Sequence, residues 1–460
     1  MEVKEAALKF KKIIEKPGII RVVTHLDTDG MSSAAILIHA LRKLDQQFCV
    51  MTVRQLEDSI IEKLVDESKK WKAIMFLDLG SPKLGAIAKL SQKIPVFVLD
   101  HHPLERGFKP ISEIVGDLIF VNPLIEENAE DNVSASSVVY EFVKEIDSNN
   151  KNLAQLAVLG MIGDMADKVI SKTNTKIVEE AKEFGMQVKR GLIIFSSTRP
   201  LHKALELSSS IFIPGVTGCQ NGAFSLLREL DIKSREGAKW KTLLDLDKNE
   251  MSRLLTAILL RRINTGRDQN ILGNIYLLKL NGRLQDVREL STTINACGRL
   301  GHSSLAISYL LGSLDAGEKV QRIYTEYKHH LIKGLKWVEA EKKIVGDNYV
   351  IINVKDNIKD TIVGTVISIL ANSFIYPAGT VMVGMAYRTD GKIKVSSRIA
   401  GPEDSDINLY HLLDSVIQQI GGEVGGHPRA AGALISQKKE QEFLEVLERA
   451  LKIEEIKIKV

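Results

Sequence analysis

His25, Asp27 and Asp29 stand at alternate positions of "VVTHLDTDGM" (22–31), directly behind apolar, β-branched residues. Asp78 lies in "FLDLGS", Asp100, His101 and His102 in "VLDHHP", and Asp164 in "GMIGDMAD". A single carboxylate at a strand end is ordinarily a helix cap or a turn former. Several brought together are different, because ionised carboxylates a few Å apart repel and raise one another's pKa unless a cation lies between them. Buried, they need partners. No comparable set of Lys or Arg accompanies these blocks, so a divalent metal is the natural counter-charge. Carboxylates mixed with imidazoles suit Mn2+, and Mg2+ or Zn2+ less exclusively. Even four of these carboxylates with two of the imidazoles exceed what one ion needs, which predicts two ions about 3.5 to 4 Å apart, bridged by a carboxylate and a water.

These residues can meet only if the elements carrying them end side by side. Residues 19–25, "IIRVVTH", read as a strand, and 31–44, "MSSAAILIHALRKL", as the helix after it. Strand-like 47–53 precedes a helix near 58–69, 73–80 precedes "KLGAIAKLSQ", and "IPVFVLDHH" (94–102) follows. This alternation predicts an α/β fold with a mostly parallel sheet and helices on both faces. In such sheets ligands sit at the carboxyl ends of the strands, where all of these His and Asp residues fall. A helix over 152–163 delivers Asp164 to the same place, and Gly30 lets the chain turn into a helix whose N-terminal amides face the cleft.

The 460 residues suffice for two or three domains. Hydrophobic residues are 44% of the chain, so disordered and fibrous classes drop out. Lys plus Arg number 62 and Asp plus Glu 58, a net charge of only +4, so any polyanion site must be local. Cys49, Cys219 and Cys297 are widely spaced and odd in number, which gives neither a disulfide framework nor a zinc signature. The N-terminus is charged and amphipathic and no stretch approaches ~20 apolar residues, so a cytoplasmic protein without membrane association is expected.

From 185 to 290 the pattern turns irregular, with a turn at "IPGVTGCQNG" and a mainly helical stretch over 237–263, as an insert would be. A strand or hairpin is expected over 270–282, and helix over much of 303–345, long enough to bridge two domains. A second α/β unit begins at "NYVIINV" (348–354), with helices at 360–373, 409–420 and 437–452 and strands at "TVMVGMAY" and "KIKVSSRIA". The expected domains are 1–184, 185–290, 291–345 and 346–460. Tyr140 and Phe142 in "SASSVVYEFV" read as core, His39, His202 and His411 as structural, and Arg261 and Arg262 as a solvated helix face.

The blocks "THLDTDG", "FLDLGS", "VLDHHP" and "GMIGDMAD", in this order, resemble the DHH phosphoesterase superfamily, named for the triplet at 100–102. "INACGRLGH" (294–302) is similar to the Asn-Ala-x-Gly-Arg segment of RecJ-type exonucleases, and "GGHPRAAGA" (425–433) to the Gly-Gly-His signature of the DHH-associated domain. The resemblance implies a parallel-sheet DHH domain with a helical insert, linked by a long helix to a smaller α/β DHH-associated domain. It implies that His25, Asp27 and Asp78 hold one metal and Asp29, Asp78, His101 and Asp164 the other, with Asp78 bridging. Asp100 would orient an imidazole, and His102 would touch the scissile phosphate or assist the leaving oxygen. Asn295, Arg299, Ser396, Ser397, Arg398, Gly426 and His427 would bind phosphate, the arginines bidentately.

The implied cofactor is two Mn2+, with Mg2+ as a substitute, and the implied activity is a single-strand exonuclease on DNA or RNA in replication or repair. Two alternatives share the core: an oligoribonuclease or cyclic-dinucleotide phosphodiesterase, and a scaffold with residual nuclease activity that binds the GINS complex of the replisome. One branch of the superfamily has lost metal ligands, whereas every ligand is present here. Archaeal RecJ-like proteins combine nuclease activity with GINS binding, and the insert over 185–290 is similar in placement to their intervening domain. A family II pyrophosphatase is disfavoured, because its Ser-Arg-Lys-Lys-Gln run is missing. The further oligonucleotide-binding domain of bacterial RecJ is not expected after residue 433, so grip on a strand is expected to come from the cleft, the insert or a partner. With only 5% aromatic residues, backbone contacts should dominate over base stacking, making binding strongly salt dependent.

Overall fold

A computed structural model describes the chain apart from residues 1, 105–115, 126–128, 167–169, 195, 209–210, 263–270, 374, 402–406 and 460, and describes 455–459 by their backbone only. Residues 263 and 270, at the ends of an expected helix and strand, lie outside the described residues. Two units divide the chain: Met1–Gly191 with Ser196–Thr198 and Leu272–Tyr324, and Leu192–Phe195 with Arg199–Ile271 and Thr325–Val460.

The first unit is built on five strands, β1 (Ile19–His25), β2 (Gln47–Val53), β3 (Ala73–Leu77), β4 (Val96–Leu99) and β5 (Leu118–Val121). All four neighbouring pairs are parallel, in the order β2-β1-β3-β4-β5. Helices α1 (Val3–Ile14), α2 (Thr28–Lys43), α3 (Asp58–Asp66), α4 (Leu84–Ser91), α5 (Ala135–Ile146), α6 (Ala154–Gly163) and α7 (Lys172–Glu183) accompany them. Alternate residues of a strand point to opposite faces. Val22, Met75, Leu77, Phe97 and Leu99 therefore join one core with Phe10, Ile36, Tyr140 and Phe142, while Val23, Ile74, Phe76, Val96 and Val98 join another with Ile61, Leu64 and Ile87. Both faces are covered, so the strands are apolar throughout, as the alternating sequence pattern predicts.

The strand order reverses between β1 and β3, and a doubly wound sheet binds ligands outside the carboxyl ends at such a point. Pairing of Thr24 with Leu77 and of Leu77 with Leu99 brings the ends of β1, β3 and β4 level.

Strands Gln187–Leu192, Leu272–Leu280 and Arg283–Asp286 form a second, three-stranded sheet. The sequence reading assigns residues up to 290 to an insert, but Tyr276, Leu278, Val287, Leu290, Ile294 and Cys297 are buried in the core of the first unit. The unit accordingly takes in Leu272–Tyr324. The helical stretch expected over 303–345 is two helices, Ser303–Leu310 and Leu314–Ala340, parted at Gly312, whose φ is +93°.

In the second unit six strands run in the order Ile344–Val345, Tyr349–Lys355, Val381–Tyr387, Lys392–Ile399, Ala430–Ser436 and Glu423–His427. One pair, Tyr349–Lys355 with Val381–Tyr387, is parallel and the rest antiparallel. Helices Leu409–Ile420 and Glu440–Lys459 share a core with one face of this sheet through Leu413, Val416, Phe443 and Leu447. On the other face, Gly384 gives the Asp360–Asn372 helix room: a Cβ there would lie 2.4 Å from Ile367.

The stretch read as helical over 237–263 begins instead with a short antiparallel ribbon, Arg235–Glu236 with Lys239–Trp240, and becomes helix only at Lys248–Arg262. Arg235 lies 3.6 Å over the Trp240 ring, which favours the ribbon. Arg262, read as solvated, is buried, whereas Arg261 pairs with Glu229 at 2.6 Å. Among the described residues no helix is long and apolar enough to cross a membrane.

Candidate metal centre

The α2 helix begins at Thr28, three residues before the sequence pattern suggests, because Asp27 caps it by accepting a hydrogen bond from the Gly30 amide at 3.0 Å. Asp29 consequently sits inside the first turn, fully buried. Thr24 Oγ1 donates to Gly30 O at 2.6 Å, and a Cβ on Gly30 would lie 2.5 Å from His25 O, so glycine is required there.

At the end of β3, Asp78 adopts φ +60°, a left-handed conformation that Asp tolerates better than most residues. This turns a 2%-exposed carboxylate toward its neighbours on both sides. Asp78 Oδ2 lies 3.4 Å from His25 Nδ1, itself 2.9 Å from Asp27 Oδ2. Asp78 Oδ1 lies 3.4 Å from His101 Nε2, which is 3.1 Å from Asp164 Oδ2 and 4.0 Å from Asp29 Oδ2. Three groups thus share Asp78: His25 with Asp27, Asp29 with His101 and Asp164, and Asp100 with His101 and His102.

Asp100 serves differently. Its Oδ1 accepts from the amides of His101 (2.8 Å) and His102 (3.3 Å) and lies 2.7 Å from His102 Nδ1, while Oδ2 accepts from the Ser81 amide at 2.8 Å. Those bonds occupy the carboxylate and orient the His102 ring. His102 Nδ1 is also 3.9 Å from Asp78 Oδ1, at the rim of the cluster.

Three contributors escape a reading by motif. The amides of Ala135 and Ser136, at the start of α5, donate to Asp29 at 2.7 and 3.0 Å and aim a helix N-terminus at it. Ser134 caps that helix, and a serine-rich start is the one signal the sequence carries for it. Buried Asn122 donates to Ser81 Oγ and to His102 O, bracing the β4 loop. Thr28 is tied to the Val287–Arg299 helix, its amide donating to Asn295 Oδ1 (2.8 Å) and its hydroxyl to Ser291 O (2.8 Å). The acceptor of Asn295 is thereby spent on the loop that carries Asp27 and Asp29. Arg299 ends the same helix, half-buried.

The donor set fits divalent ions. His25 Nδ1, Asp78 Oδ2 and His101 Nε2 are buried and make no hydrogen bond among the described residues, despite their close neighbours. Such orphaned atoms are costly unless something coordinates them. Oxygen and imidazole nitrogen together are what Mn2+ or Mg2+ with some nitrogen tolerance would take.

Burial alone would lower the His25 pKa, but Asp27 and Asp78 overcome it and hold the proton well above the ordinary range. At His101 burial is overcome by Asp164 and Asp78, and at His102 by Asp100. Burial raises Asp29, with Asp164 and Asp78 adding to it, and burial with Asp27 raises Asp78. Burial is outweighed in the opposite sense at Asp27 by His25 and at Asp100 by His102, both carboxyls being held low.

The raised imidazoles stabilise the metal-free fold fully below their unfolded pKa of about 6.5, and that contribution disappears as pH climbs through the raised folded values. The raised carboxyls act in the same sense, penalising the fold once they ionise. A divalent ion displaces these protons, so its stabilisation of the fold should grow with pH. Thermal melts with and without Mn2+ should show a larger metal-induced shift near about pH 8 than near about pH 6; an equal shift at both would contradict this protonation pattern.

The remaining residues expected to bind phosphate lie in the second unit. Ser396 and Arg398 share a face of the Lys392–Ile399 strand, Ser396 beside the Asp360–Asn372 helix and Arg398 Nε donating to Ser368 Oγ of that helix at 3.0 Å. Ser397 does not belong with them. It is wholly buried on the opposite face, donating to Ala431 O at 2.9 Å, because strand alternation sends neighbours to opposite sides. Gly426, with φ +128°, is constrained by the backbone: a Cβ would lie 2.4 Å from Ala430 O. His427 is exposed at the end of its strand.

Residues 19–162 match the DHH family, N-terminal domain, residues 194–275 the DHH-CID domain and residues 346–453 the DHHA1 domain. An uncharacterized protein of Methanocaldococcus jannaschii is 30% identical over 441 residues, 94% of this chain and 93% of that one. Among solved structures, CDC45 from Entamoeba histolytica superposes with a TM-score of 0.63 at 10% identity, covering 98% of both chains. RecJ from Thermus thermophilus, in complex with Mn2+, does so with a TM-score of 0.60 at 17% identity, over 98% of this chain and 55% of that one, so this chain spans about half of it. An exonuclease RecJ bound to manganese gives 0.57 at 16% identity, over 98% of this chain and 94% of that one. At these identities the structures speak for the fold, while the domain matches run in the order of the sequence blocks. The chain belongs to the DHH family, with DHH, DHH-CID and DHHA1 domains on a RecJ-like fold and an acidic and imidazole cluster compatible with divalent metal.

Proposed function

We propose that this protein is a metal-dependent phosphodiesterase that shortens single-stranded DNA or RNA from an end, with two Mn2+ as its preferred cofactor and Mg2+ as a substitute, in DNA replication or repair. The observation that carries this reading is the division of Asp78, one oxygen toward His25 and the other toward His101. His25, Asp27 and Asp78 would hold one ion, and Asp29, Asp78, His101 and Asp164 the other. Two such ions supply an activated water and neutralise charge on the attacking and leaving oxygens.

The chain's own residues do the rest. The α5 amides hold Asp29 in the orientation in which it would serve as a ligand. Asp100 engages His102 at Nδ1, leaving Nε2 to donate to the scissile phosphate or the leaving oxygen. Arg299, Arg398, Ser396 and His427, with the backbone around Gly426, would bind phosphates along the strand, and Asn295 would set the loop on which Asp27 and Asp29 ride.

Single-stranded DNA and RNA labelled at either end, and a dinucleotide, incubated with Mn2+, test the proposal. Stepwise shortening of the long substrates is expected. Cleavage of the dinucleotide alone would favour an oligoribonuclease or cyclic-dinucleotide phosphodiesterase. Inactivity together with capture of GINS would favour a replication scaffold, a reading the likeness to CDC45 keeps in view.

A further inference from the structure

Along the Lys392–Ile399 strand, Lys394, Ser396 and Arg398 alternate and therefore share the face lying away from the Phe443 and Leu447 core. The Asp360–Asn372 helix walls this face beside Ser396 and Arg398. The neighbouring strands floor it with glycine: Gly432 pairs with Ser396 on one side and with Gly425 on the other. A Cβ added at Gly425 would meet nothing within 4 Å, and one at Gly432 would lie 3.2 Å from Lys394 Nζ. The lysine amine thus lies across a floor without side chains.

Its surroundings do not neutralise it. Lys394 makes no ion pair or hydrogen bond among the described residues. Among the described residues the acids whose charge reaches it are Asp360 and Glu423, and Glu423 is engaged by Lys392 at 3.7 Å. Burial, together with Arg388 and Arg398, pushes its pKa below the ordinary lysine value, an unfavourable setting for a cation that an anion would relieve.

We propose that Lys394 binds a backbone phosphate over the Gly425–Gly432 floor, distinct from the phosphate held by Arg398, so that this unit grips two or more phosphates of one strand. Arg398 is drawn toward the Asp360–Asn372 helix through Ser368, whereas the Lys394 amine leans over Gly432 of the neighbouring strand, so the two cations address different places along the face. The inference rests on the nuclease reading and narrows its substrate to oligonucleotides rather than a lone dinucleotide.

The test is binding of a fluorescent single-stranded oligonucleotide of about twelve nucleotides to the full chain in chelator, over a range of salt. Lys394→Met and Lys394→Gln should each weaken binding about tenfold and flatten the slope of log affinity against log salt by about 0.7, one phosphate contact, while Lys394→Arg keeps both near wild type. Melting temperatures should not fall, since a repelled cation has been removed. Unchanged affinity and slope in both variants, or a lost affinity that tracks a lowered melting temperature, would overturn the role of Lys394 and leave the nuclease reading standing. Wild-type protein that binds neither DNA nor RNA would overturn both.

Discussion

Replacing Asp78 by Asn should abolish turnover, by three orders of magnitude or more, about 4 kcal/mol of transition-state stabilisation, without unfolding the protein. The amide keeps the shape and removes the charge. It also keeps the left-handed backbone at φ +60°, which Asn tolerates and Ala does not, so Asp78→Ala carries a further cost of about 1 kcal/mol that would blur the result. Burial and Asp27 already work against ionisation of Asp78, so a neutral side chain should leave the metal-free melting temperature within a few degrees. Because both halves of the cluster use this residue, the Mn2+-induced rise in melting temperature should disappear as well. Turnover near wild type in Asp78→Asn would sink the shared-ligand assignment. Loss of turnover with the metal-induced shift intact would place Asp78 in chemistry rather than in binding.

The second large effect lies away from any charge. Gly298 sits in "NACGR" on the Val287–Arg299 helix, where an added Cβ would lie 1.8 Å from the backbone oxygen of Leu26. Backbone cannot step aside as a flexible side chain can. Gly298→Ala should therefore force the helix off the loop between β1 and α2, breaking the bonds from Thr28 to Asn295 and Ser291. A cost of about 3 kcal/mol is expected, lowering the first transition of a thermal melt by roughly 6 to 12 °C. Asp27 and Asp29 ride on the displaced loop, so Mn2+ affinity should fall too. A variant that melts and binds metal like wild type would mean that this helix and loop are not held as closely as their contacts imply.

That loop illustrates how far a local pattern reaches. Strand, turn and helix over 19–43 are legible because apolar alternation, a capping Asp and a permissive Gly act within a few residues of one another. The same holds for the strand ends carrying Asp78 and Asp100, and parallel strands of an alternating α/β chain must end at one edge. The order of the blocks therefore predicts that His25, Asp27, Asp29, Asp78, His101 and Asp164 converge, and the structure brings them together. The apolar pattern puts the start of α2 three residues late, because Asp27, a candidate ligand by its residue type, is also the helix cap.

Alternation and spacing determine the fold class and the strand-end placement of the clustered side chains, and the motif blocks carry the resemblance to the family, since each depends on neighbours in sequence. Tertiary structure alone decides what surrounds them. Contacts separated by more than a hundred residues put the α5 amides on Asp29 and the Val287–Arg299 helix under the first loop. Strand register buries Ser397 and leaves Lys394 over a glycine floor. Such contacts are chosen by how whole faces fit together, and no window of sequence contains both sides of the fit.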